Sequence, residues 1–64
     1  MNNEEKLKLY AFTCATLDSL SSDSPVIQSA FVEIWNKAMQ YENAVQFYKR
    51  IDFARRVLGF TPTS

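Results

Sequence analysis

The sequence has no histidine, one cysteine (Cys14), one glycine (Gly59) and two prolines. Its seven Lys+Arg balance seven Asp+Glu, so it carries no net charge. Each shortage excludes something. A lone cysteine cannot close an intrachain disulfide, and without histidine the Cys/His zinc sites have no ligand set. A single glycine leaves no glycine-rich loop to cradle phosphate and no serine elbow for a nucleophile. Neutrality removes the overall basic charge of strong DNA readers. No uninterrupted apolar run approaches the roughly 20 residues that span a bilayer. The opening Met1-Asn2-Asn3-Glu4-Glu5 is polar and acidic, unlike a secretory signal. The expectation is a cytoplasmic protein with no cofactor, no metal and no membrane partner.

What is present is apolar: 47% of the 64 residues are hydrophobic and 14% aromatic. That content with zero net charge argues against disorder. The length allows one domain, and so short a chain hides only about 60% of its unfolded surface, which makes a monomer marginal.

The apolar spacing is helical throughout. Asn2 and Asn3 are good N-cap residues, followed by Glu4 and Glu5 at the positive end of a helix dipole. Leu7, Tyr10, Cys14 and Leu17 then recur in steps of three and four, widened by Ala11 and Ala15, while Leu9, Phe12 and Leu20 form a second apolar set on roughly the opposite side. This predicts a helix over about residues 4–19. The serine- and aspartate-rich stretch after it predicts a turn at about 20–24, and Ser24-Pro25 is a strong helix start.

Between Pro25 and Leu58 there is no glycine and no further proline. Ile27, Phe31, Ile34, Ala38, Tyr41, Val45 and Tyr48 follow alternating steps of four and three, a heptad-like seam. After Tyr48 the phase slips, and Ile51, Ala54 and Leu58 continue it, joined by Ala44 and Phe47. The slip reads as a stammer in one long helix over 25–58, or as a break near Tyr41–Asn43, where Asn43 and Gln46 make a weak capping pattern. Gly59 and Pro62 mark the end, with a tail over 59–64. The expected fold class is therefore all-α: a helical hairpin with a short first and a long second helix, pairing with itself into a four-helix-bundle-like homodimer. The alternative is a three-helix bundle broken near Tyr41–Asn43.

Few side chains suggest chemistry. Cys14 lies mid-helix on the main apolar face with no base in the chain, which reads as a small buried hydrophobe. The carboxylates are scattered, and Asp52, ahead of Arg55 and Arg56, suits helix ion pairs better than acid–base work. No enzyme activity is expected. Residues 43–64 hold Lys49, Arg50, Arg55 and Arg56 against Asp52, a net of +3, whereas residues 1–42 hold three lysines against six acids, a net of −3. The basic end is a candidate anion-binding cluster. Its members do not share one helical face, however, which argues against nucleic acid.

The most informative feature is a second stripe, Val32, Trp35 and Met39, extended by Phe53 and Val57, on the side of the long helix away from the seam. One hairpin cannot cover both sides, so these five are the expected protein-interaction residues, facing a second copy or another protein. The function expected is that of a small protein-binding regulator, adaptor or inhibitor, the kind of bacterial or phage chain that blocks a host factor. The alternatives are a nucleic-acid-associated regulator using the basic end and a structural subunit of an assembly.

Overall fold

A computed structural model describes residues 2–20 and 23–60. Residues 21–22 of the expected turn and 61–64 of the expected tail lie outside them. Among the described residues the chain forms three helices and no strand: α1 (Asn3–Ser19), α2 (Pro25–Met39) and α3 (Ala44–Leu58).

The helix boundaries follow from local chemistry. The Asn2 side chain accepts the Glu5 backbone N–H at 2.8 Å and caps α1. Ser24 caps α2 by accepting the Ile27 N–H, with Pro25 at the first helical position, where its missing N–H costs nothing. Gly59, at φ 80°, ends α3 in the left-handed region. The Phe60 N–H then returns to the Arg55 carbonyl at 2.8 Å and the Gly59 N–H to that of Arg56 at 3.2 Å, a Schellman closure.

The single helix over 25–58 is overturned. The backbone leaves the helix at Gln40, where the Tyr41 and Glu42 N–H groups both bond the Ala38 carbonyl, and restarts at Asn43. Asn43 is extended, and its side chain accepts the Gln46 N–H at 2.9 Å. A short polar side chain here replaces the helical hydrogen bond, so the break needs neither glycine nor proline. The phase slip after Tyr48 is thus the signature of a new helix, not of a stammer.

The break also redirects side chains. The seam holds through Phe31, Ile34 and Ala38, which pack in or against the core, with Ile27 partly exposed at its start. It fails beyond: Tyr41, Val45 and Tyr48 are exposed, and Phe47, Ile51 and Ala54 point inward instead. The core comprises Leu7, Ala11, Cys14, Ala15, Ala38, Phe47, Ile51 and Ala54, with Tyr10, Phe12, Phe31, Ile34, Trp35 and Met39 packed around it. As expected, α1 buries its Leu7–Ala15 face. It contacts both other helices extensively, while α2 and α3 meet much less.

The order of contacts fixes the directions. Glu4 of α1 meets Arg50 of α3, and Asp18, at the far end of α1, meets Arg55. α1 and α3 therefore run the same way, and α2 returns along another side of α1. Four of the eight core residues are alanine, which lets the helix axes approach closely but leaves a thin core. Phe47 is its largest fully buried side chain.

Since the Asn43 side chain satisfies an otherwise orphaned donor at the α3 start, Asn43→Ala should destabilise the protein by about 1 kcal/mol. Thermal denaturation followed by circular dichroism measures this. An unchanged midpoint would mean that the junction holds without its cap.

Candidate protein-interaction surface

Three features of the sequence bear on function: the lone thiol, expected to be a buried apolar group, the basic end and the Trp35 stripe.

The thiol of Cys14 is fully buried, and burial, reinforced by the nearby Asp18 charge, pushes its pKa up to about 11. It packs as an apolar group and offers no thiolate near neutrality. Among the described residues, no three His, Cys, Asp or Glu side chains come together as a metal site.

The basic residues do not gather into one anion site. Arg50 is held by two carboxylates at once. Its Nε and Nη2 donate to Glu42 at 2.7 and 2.9 Å, and its Nη1 and Nη2 donate to Glu4 at 2.8 and 2.9 Å. Both pairings use two parallel hydrogen bonds, the geometry a planar guanidinium supports. Glu4 and Glu42 in turn hold the Arg50 guanidinium more firmly protonated than usual. One side chain thereby ties the first turn of α1, the α2–α3 junction and the middle of α3. Arg55 donates to Asp18 of α1, and Arg56 pairs with Asp52 one turn back at 3.2 Å. The expected Asp52–Arg56 pair is present, but Arg55 turns to α1. The opposite net charges of residues 1–42 and 43–64 thus serve largely to join α1 to α3. Lys49 has no ion pair among the described residues, and it stands at the edge of a groove.

The five residues expected to form one interaction face are divided by the break. Trp35 and Met39 turn inward. The Trp35 ring stacks on Phe31 (centroids 6.2 Å apart, 15° between planes) and meets Phe47 edge-on (5.3 Å, 71°), a packed aromatic cluster. Both are partly buried against the core of the same chain, so they do not stand open to solvent as the other three do. Val32 remains 54% exposed, beside a separate dent between α1 and α2 lined by Leu17, Ile27 and Phe31. Phe53 and Val57 also stay outside, 63% and 58% exposed.

Phe53 and Val57 line an open groove of about 600 Å³ along the outer furrow between α1 and α3. Ala11 forms its floor and Phe12 its α1 wall; Phe53 and Val57 form the α3 wall. Lys8, Gln46, Lys49 and the Arg50–Glu42 pair edge it. Leu9 and Leu58, both exposed, extend the apolar surface beyond Phe12. The sequence reading missed Lys8 and Phe12 as site residues. A signal existed for Phe12, in the second apolar set of α1. Lys8 had none, because its place beside α3 depends on how the two helices pack.

Two outcomes follow. The Arg50 hydrogen bonds hold the Glu4 carboxyl below its ordinary value of 4.5. The pairing therefore adds stability above that pH and loses it as pH falls below. The urea midpoint should drop between pH 7 and pH 3, and Glu4→Gln should show a smaller drop; equal drops in both proteins would rule the pair out as a contributor. Trp35→Ala should destabilise folding by about 3 kcal/mol, the low end for aromatic truncations, because the ring is only partly buried. A variant with native stability but a changed assembly state would return Trp35 to the surface.

In comparisons with known proteins, no family model, no curated protein and no solved structure matches the chain.

Proposed function

We propose that this chain is a non-enzymatic protein-binding module, a small regulator, adaptor or inhibitor, that works through the α1/α3 furrow. One observation carries the reading: large apolar side chains stand exposed around a preformed groove, with Phe53 and Val57 more than half exposed above an alanine floor. Contiguous exposed apolar surface edged by polar groups is what protein-interaction sites present. The scattered carboxylates support the same reading, because several are engaged as structural ion pairs. Two buried partners or a pocket that split their pKa values would instead favour acid–base chemistry.

Pairing with a second copy is a further part of the proposal. It is supported by exposed apolar residues away from the groove, Val26 and Val32 on α2 and Val45 and Tyr48 on α3. Nothing comparable favours the nucleic-acid reading, since three of its four cations are held by carboxylates of the same chain.

Sedimentation equilibrium at micromolar concentration should give twice the chain mass of 7.4 kDa; a clean monomer removes the self-pairing. Affinity capture from a cell lysate should retain a protein on the wild-type chain. Phe53→Ser/Val57→Ser should lose it while keeping the wild-type circular dichroism spectrum. Equal capture by both would show that the furrow is not the binding site.

A further inference from the structure

We infer that the α1/α3 groove takes an acidic amphipathic helix of another protein, laid along the furrow between Lys8 and Lys49; this rests on the protein-binding reading above. The shape supports a helix. Two neighbouring parallel helices leave a furrow that a further helix fills as it would in a bundle, at axis separations of about 8–10 Å. Phe12, Phe53 and Val57 supply an apolar bed for side chains spaced i, i+3, i+4 and i+7, the pattern of helix-in-groove recognition.

The charges select the flanks of that helix. Of the charged residues lining the groove, Lys8, Lys49 and Arg50 are cations and Glu42 is the anion. Arg50 donates to both Glu42 and Glu4, and Glu42 accepts from Arg50. The cations in no ion pair among the described residues are Lys8 on the α1 wall, whose charge also acts weakly on Glu4 one turn back, and Lys49 on the α3 wall. A helix with carboxylates on both sides of its apolar stripe meets one lysine on each side. A second copy of this chain is a poorer occupant, because much of its helical acid is already spent. Glu4 is held by Arg50, Asp18 by Arg55, Glu33 by Lys37 and Asp52 by Arg56.

Three synthetic helical peptides of about 18 residues, sharing one leucine stripe and flanked by Glu, Gln or Lys, make the test. Fluorescence anisotropy of each labelled peptide against the full chain reads the affinity. The Glu-flanked peptide should bind roughly three- to tenfold tighter than the Gln-flanked one and the Lys-flanked peptide weakest, with the spread shrinking at high salt. Lys8→Glu/Lys49→Glu, at exposed positions, should reverse the order, and Phe53→Ser should weaken all three. If the three peptides bind alike and all depend on Phe53, the acidic partner is wrong while the protein-binding reading stands. If none binds and Phe53→Ser turns a dimer into a monomer, the occupant is a second copy and the inference is overturned. If none binds and the mass does not change, the inference and the function it rests on fall together.

Discussion

The fold depends on burying Phe47. It is the largest fully buried side chain, and it reaches the core only because the chain leaves the helix at Gln40 and restarts at Asn43. In a continuous helix, Phe47 would extend away from α1. With the break, α3 lies along α1, Phe47 meets the edge of Trp35, and Ile51 and Ala54 follow it inward. The junction is local chemistry serving a distant contact. The Asn43 cap makes the break inexpensive, and the burial of apolar area, at about 25 cal/mol per Å², makes it favourable.

Arg50 reinforces the same arrangement from outside. Four charge-assisted hydrogen bonds reach the two acids that flank the α1–α3 seam. Each exposed ion pair alone is worth about 0–1 kcal/mol, but a planar fork that engages two carboxylates together also restricts how α1 can slide on α3. The alanines of α1 allow close approach, the guanidinium holds the register, and the furrow outside them keeps its shape.

The features legible in the sequence are those decided within a few residues. The Asn2 and Ser24 caps, the proline at the α2 start and the Gly59 stop all act over three or four positions, and each stands where expected. The burial of Leu7, Ala11, Cys14 and Ala15 was readable from periodicity alone. The break was visible as the phase slip and the Asn43–Gln46 pattern, yet its reality turned on α1, and no local signal reports that. The charge asymmetry was equally plain as arithmetic. Its meaning lay in a contact between Glu4 and Arg50, 46 positions apart. Val32, Trp35, Met39, Phe53 and Val57 share one side only if a single helix carries them, so the interaction face split once that helix was broken. Phe53 and Val57 stayed outside because the α3 residues chosen for the core are Phe47, Ile51 and Ala54.

The alanine-built core restricts which amino-acid replacements the interior accepts. At Ala11, Ala15, Ala38 and Ala54 a smaller side chain means glycine, which loosens a helix by roughly 0.5–1 kcal/mol, and a larger one must force closely packed helices apart. Both directions cost stability. The outer residues of the furrow meet no such limit, since Phe53, Val57, Lys8 and Lys49 stand against solvent. In this architecture the scaffold is rigid in composition, whereas the surface that would set binding preference is free to vary. Sequence drift in such a chain would change the chemistry of the furrow before it changed how the chain folds.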